Sequence, residues 1–538
     1  MKYTIAIIFS GCVLLTGCVK LDVAPTDRFT EANYWSTADK ASSVVNMAYR
    51  QMFSSDNLFN NEVLSDNVYS GYGNTNEKLI ATGQADASNG RFASEWDDCY
   101  GGIKTCHTFL ENVDRVPNMN GALKERMKAE IRFIRAFLYL RLTTHFGDVP
   151  FYTKDITLAE SKSIARTPST QIKNWIHTEL DEVAAVLPSN LDYAVADRGR
   201  ITKGAAVALN ARAYLYESNF LKVAEYCNKL VNTTNFGTYT LFPTYEGLFL
   251  ASNEYNSESI LEMGYVPQLR TWGNLVDYAP LSAEARLSLA APTQELVDSY
   301  LMTNGNKWVE GNAPYAGRDF RMGATIVYDG STWRDRSGVT YPIVINPDGV
   351  NPAGRVSNKY TGQGQATTAT GYYYRKYADP NPSTYTLGWA SNLNLPLIRF
   401  ADVLLMYAEA MHENGAMTQA VWDQTIKPLR LRAGFDNTTA AVGFPTTATP
   451  LQLQEIIRNE RRCELALEGL RVFDIRRWKT APVVLTSDRR GAKFEKVGGV
   501  FEYIKLTPGR FNVNRDYLWA VPRKERVLNA NLSQNPGY

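Results

Sequence analysis

Two acidic residues four apart, Glu460 and Glu464, stand in a segment crowded with Arg461, Arg462, Arg471, Arg476 and Arg477. On a helix that spacing puts both carboxylates on one face. A carboxylate pair is the equipment of glycoside hydrolysis. The arginines favour another reading: ion-paired carboxylates keep low pKa values and make poor acids, so the segment is expected to brace helices. The four histidines, His107, His145, His177 and His412, show no paired metal-ligand spacing. His145 reads as a helix C-terminal cation or a packing residue. Gly362 and Gly364 lack the strand, acid and Lys-Ser/Thr context of a phosphate loop, and no serine sits in a nucleophile elbow. No catalytic residue, metal or cofactor is therefore expected.

Cys18 is where covalent chemistry is expected. Lys2, the apolar stretch Ile5 to Leu15, and Leu15-Thr16-Gly17-Cys18 form a basic start, a short hydrophobic run and a small-residue cleavage site. The run is too short to span a bilayer. This is the pattern of a bacterial lipoprotein signal over residues 1–17, whose cleavage leaves the Cys18 sulfur to carry a diacylglycerol. One acyl chain holds a protein only marginally, with K on the order of 10⁴ M⁻¹, while two give a stable anchor. Residues 18–30 then read as a polar tether to a globule over 31–538. The protein is expected at a bacterial membrane surface, outside the cytoplasm. Cys99, Cys106, Cys227 and Cys463 form no disulfide framework for so long a chain and read as buried apolar residues.

A third chemistry lies in loops. Sugars offer flat C–H faces and rings of hydroxyls, which aromatic platforms and Asn, Asp and Arg side chains recognise. Two regions carry that mixture: Asp66, Asn67, Tyr69, Tyr72, Asn74 and Arg91, and then Arg270, Trp272, Asn274 and Tyr278, followed by Trp333 and Arg334. The chain holds 31 Tyr and 10 Trp, much of this aromatic content outside helical segments. Its net charge of +2 argues against nucleic acid, which calls for a basic stripe. Apolar content of 44% and charged content of 21% are those of a globular chain able to bury a large core.

The elements that must position these loops are helical. Apolar periodicity and caps predict helices from Ser36 or Thr37 to about Phe53, over about 92–113 and 121–145, and then over about 169–187, 202–217 and 219–232. The Ala-rich run KGAAVALNARAYLY lets neighbours approach closely. Helices return at 398–413, 417–433 and 450–467. Residues 54–92 read as loop, and 236–395 as turns, aromatics and short strands such as 324–328 and 340–345. Trp96 reads as helix core. Tyr372-Tyr373-Tyr374 reads as a strand with alternating faces, one or two of its rings buried. The fold class is mostly α: paired helices resembling tetratricopeptide hairpins over about 31–235 and 396–480, and a loop-rich, aromatic-rich, ligand-facing portion over about 54–95 and 236–395.

Several segments carry a family resemblance. They are Tyr34-Trp35-Ser36, Arg135-Ala136 with Phe146-Gly147-Asp148-Val149-Pro150, Lys203-Gly204-Ala205-Ala206, and Arg318-Asp319-Phe320-Arg321. The most specific are Ile398 to Ala410 and Glu460 to Trp478, and the chain closes on Asn535-Pro536-Gly537-Tyr538. The chain resembles the SusD/RagB-like outer-membrane nutrient-binding lipoproteins. Phe320 stands where that family often has Pro, and Leu470 where it often has His. The resemblance implies about eight helices in four tetratricopeptide-like pairs and a TonB-dependent SusC-like transporter as partner. It also implies capture of an oligosaccharide, or in some branches a peptide, at the cell exterior without chemistry.

Overall fold

A computed structural model describes residues 34–496 and 500–538. The signal segment, Cys18 and the tether lie outside the described residues. Among the described residues eight helices have twelve or more residues: α1 (Ala38–Met52), α2 (Gly90–Asn112), α3 (Gly121–Phe146), α4 (Ser169–Val186), α5 (Lys203–Tyr216), α6 (Phe220–Val231), α7 (Phe400–Glu413) and α8 (Pro450–Glu464). Each packs on the next in chain order, from α1 against α2 to α7 against α8. This is the serial pairing of a helical-hairpin array, as the sequence predicts.

The array forms for local reasons. Thr37, Asn120, Thr202 and Asn219 accept backbone N–H groups at the starts of α1, α3, α5 and α6, satisfying donors a bare helix end would orphan. Thr449 and Gln452 form a capping box on α8 with Pro450 behind the cap. Gly147 ends α3 at φ +70, a conformation natural to glycine. In α5, apolar and small residues run all round the helix because α4 and α6 flank it. A Cβ at Gly204 would sit 2.2 Å from the Tyr239 hydroxyl oxygen, so the helix start admits only glycine.

Several sequence expectations need correction. Residues 54–92 contain the helices Ser55–Val63 and Asn76–Ala81, each capped by a preceding hydroxyl (Ser54, Thr75) inside a polar stretch that masks their periodicity. Ile398 belongs to the strand Leu395–Arg399, antiparallel to Ser259–Met263, and α7 starts only after it. The helix expected over 417–433 breaks at Thr425 into Gln419–Gln424 and Ile426–Arg432. Tyr372, Tyr373 and Tyr374 are all fully buried, because this short strand is covered on both faces. His145 is a packing residue: its ring stacks on Trp519 at 3.8 Å, and burial pushes its pKa down to about 3. The four described cysteines are free and buried, as expected.

The irregular portion has its own core, in which Phe59, Trp272, Tyr278, Tyr374 and Tyr377 pack ring on ring. Between this core and the helices runs a buried ionic network. Glu464 of α8 meets Arg399 at 2.6 Å, Arg321 at 2.8 Å and Arg432 at 2.5 Å. Glu460 meets Arg321 at 2.6 Å and Arg430 at 2.9 Å. Arg399 also holds Glu258 and Glu468, and Lys376 pairs with Glu468 at 2.7 Å. The guanidinium groups hold the Glu464 carboxyl well below the usual carboxylate range. The carboxylate pair therefore braces the fold, as expected, by tying the irregular portion to α8, but through distant arginines: of those beside it in sequence, Arg461 pairs with Asp402 and Asp474, Arg462 and Arg471 with Asp66, and Arg477 with Glu409.

Candidate ligand-binding groove

The structure sorts the residues expected to bind ligand. Six are buried and committed to the fold. Asp66 is clamped by Arg471 at 2.8 Å and Arg462 at 2.9 Å, which hold its carboxyl well below the ordinary range. Asn67 accepts from Arg462 Nε at 2.8 Å. Arg91 pairs with Glu95 at 3.2 Å and donates to Asn61 at 3.1 Å. Trp272 donates its indole N–H to the Leu393 carbonyl at 2.7 Å and is 4% exposed. Tyr278 is 2% exposed against Phe59 and Tyr374. Trp333 is 6% exposed, between Trp389 and the Arg375 guanidinium. These side chains are packing and bracing residues, because the irregular portion uses aromatics to build the core that a short, strand-poor segment otherwise lacks.

The other six stay nearer the surface, Arg334 among them as the exposed end of the strand Thr332–Arg334. Arg270 is spent on the Gly264 carbonyl at 3.1 Å and the face of Tyr265. Asn274 donates to Asp56 at 2.6 Å. Tyr69 is half-buried in the strand Val68–Ser70, which pairs with Ala290–Pro292 and so brings the two predicted regions side by side. Tyr72 is half-buried and Asn74 exposed on the loop that follows.

The larger opening lies elsewhere in the irregular portion: a groove of about 750 Å³. Tyr315 and Tyr328 stack in its wall with ring centroids 4.1 Å apart and planes 26° apart. Both residues are half-buried. The Tyr315 hydroxyl lies 3.4 Å from that of Tyr372, which donates to Gln294 at 2.5 Å. This chain of hydroxyls fixes the platform from behind. Arg318 is held rigidly by the carbonyls of Val297, Tyr300 and Pro314, and Arg375 donates to the Thr332 carbonyl at 2.5 Å. Glu246 and the exposed ring of Phe320, 66% accessible, complete the lining. Aromatic faces with fixed donors and an acceptor, in a volume within the range of about 300–1,000 Å³ typical of ligand sites, suit a sugar-sized polar ligand. Sequence reasoning missed this platform. Tyr315 lies in a Gly-rich turn segment and Tyr328 ends a β-like run, so an aromatic between Gly311 and Gly317 was the one available signal.

No cluster of His, Cys, Asp and Glu among the described residues could hold a metal ion. A rigid helical array carrying an irregular, aromatic-lined groove defines a binding protein. The sequence model of the SusD family matches residues 270–538, and a second model, described as starch-binding associating with outer membrane, matches residues 21–215. The chain belongs to the SusD family, whose members bind and do not catalyse. It is 25% identical to SusD-like protein P2 of Formosa agariphila over the full length of both chains. It is 28% identical to the starch-binding protein SusD of Bacteroides thetaiotaomicron over 28% of this chain and 26% of that one. A crystal structure of a SusD-like carbohydrate binding protein from Bacteroides fragilis superposes with a TM-score of 0.82 at 27% identity, covering 93% of this chain and all of the other.

Proposed function

We propose that this chain is a lipid-anchored protein of the outer-membrane exterior that captures an oligosaccharide and hands it to a SusC-like TonB-dependent transporter. The stacked Tyr315–Tyr328 pair in the 750 Å³ groove is the observation that carries the glycan reading. A carbohydrate presents its apolar ring face to such a platform and its hydroxyls to Arg375 and Glu246, while Arg318, held by carbonyls, shapes the wall. The likeness to a starch-binding and a carbohydrate-binding relative supports the same ligand class. Cys18 supplies the anchor, residues 18–30 the tether, and 31–538 the globule.

The test is calorimetric titration of the chain from Val19 onward against plant, host and microbial polysaccharides. Saturable binding by one class, lost in Tyr328→Ala, is the expected result. Binding of mixed oligopeptides with every glycan inert would overturn it in favour of a peptide cargo. For the anchor, incorporation of a labelled fatty acid should vanish in Cys18→Ala. For the partner, a TonB-dependent barrel should co-purify from detergent-solubilised membranes.

A further inference from the structure

A second cleft, of about 660 Å³, opens between the end of α3, the start of α4 and the short helix Arg471–Arg477. It shares no lining residue with the tyrosine groove. Its basic residues fall into two groups. Arg166 and Arg477 are spent: Arg166 on the carbonyls of Phe146 and Asp148 and on Asn535, and Arg477 on Glu409 and Asp474. Lys173, Arg476 and Lys479 are not. None of the three forms a salt bridge among the described residues. The Arg476 Nε is buried with no hydrogen-bond partner, as are those of Arg91, Arg212 and Arg432, but each of those three meets a carboxylate through its terminal nitrogens. Burial lowers the Arg476 pKa to about 10, against the pull of Tyr538, Asp516 and Tyr517. Two acids lie nearby and both are occupied. Asp148 accepts the Ser169 N–H at 2.8 Å, and Asp516 pairs with Arg515 at 2.6 Å. A half-buried guanidinium with no salt bridge gains from an anion that meets it.

The rest of the wall specifies more than an ion. Tyr216 and Phe473 stack with centroids 5.5 Å apart, and Lys479 lies 4.0 Å over the Tyr517 ring. We propose that this cleft is a second binding site, taking an acidic saccharide unit: Arg476, Lys173 and Lys479 meet a uronate or sulfate group while the aromatic wall meets the sugar ring. The site stands apart from the groove and would let one chain hold a charged glycan at two points, or hold a charged glycan while the groove holds a neutral one.

The test uses the full chain in detergent, titrated with a glucuronic-acid disaccharide, its neutral glucose counterpart and sodium sulfate. The Lys173→Gln/Lys479→Gln double variant changes only partly or fully exposed lysines and should keep its thermal midpoint; Arg476→Gln is the companion. The acidic disaccharide should bind about ten-fold tighter than the neutral one, and the double variant should lose about five-fold or more, as charge-assisted contacts predict. Tyr328→Ala should leave this binding unchanged, which separates the result from the fate of the groove. Absence of saturable acidic-sugar binding would overturn the proposal. So would binding removed by Tyr328→Ala but not by the lysine variant, or sulfate binding as tight as the disaccharide, which would leave an ion site with no sugar recognition.

Discussion

Arg399 and Glu464, 65 residues apart in sequence, meet at 2.6 Å with both side chains at most 1% accessible. Arg399 ends the strand paired to Ser259–Met263 and Glu464 ends α8, so one contact joins the irregular portion to the helical array. Arg321 and Arg432 converge on the same carboxylate.

Replacing Glu464 by Gln leaves three arginines short of a buried counter-charge. Breaking a buried ion pair on one side costs ~3–5 kcal/mol. Calorimetry of Glu464→Gln should show a clear fall in the thermal midpoint. An unchanged midpoint would mean the network is dispensable.

The aromatics divide into platform and core, and substitution separates them. Tyr328→Ala should weaken glycan binding about ten-fold or more while shifting stability little, since the residue is only half-buried. Trp272→Ala should cost ~3–5 kcal/mol of stability, because it empties a core position and orphans the Leu393 carbonyl. A loss of affinity in Trp272→Ala at full stability would contradict this division.

His145 sets an acid-side dependence. Burial, with Arg476, Arg91 and Arg141 nearby, lowers its folded pKa to about 3 against the opposing pull of Glu95. Its unfolded value is about 6.5. The unfolded chain therefore binds the extra proton between those values, and the stability present above pH 6.5 is lost as pH falls toward 3. Glu62 acts in the opposite sense. Its folded pKa is raised by burial to about 7, so its contribution is lost as pH rises from 4.5 through 7. Thermal midpoints of His145→Asn should fall less steeply than wild type between pH 6.5 and 4, and Glu62→Gln should steepen the acid-side fall by removing the opposing carboxyl.

Burial raises the thiol pKa of Cys106 and Cys463 to about 12, and those of Cys99 and Cys227 rise as well. Thiolate is the reactive species. The folded chain from Val19 onward should resist a maleimide at neutral pH and take up four equivalents in denaturant. Rapid labelling of the folded chain would show that one of these sites opens.

The chain by itself determined the helical array. Caps such as Thr37, Asn120 and Thr449, the apolar faces and the Pro and Gly stops act within a few residues, so α1 to α6 can be drawn from the sequence almost to the residue. That Glu460 and Glu464 brace rather than catalyse was legible from the arginine-rich character of their segment, but their actual partners, Arg321, Arg399, Arg430 and Arg432, lie 30 or more residues away and only folding supplies them. Tertiary structure alone decided which aromatics face solvent. Trp272 and Trp333 stand in turn-rich sequence as Tyr315 does, yet the first two close a core and the third forms a platform. In a segment without long periodic elements, burial is set by contacts between residues tens of positions apart, such as Tyr315 with Tyr372 and Phe59 with Trp272. No local pattern encodes those. The same holds for the basic cleft, where Lys173 and Arg476 stand about 300 residues apart in sequence and only folding places them on one wall.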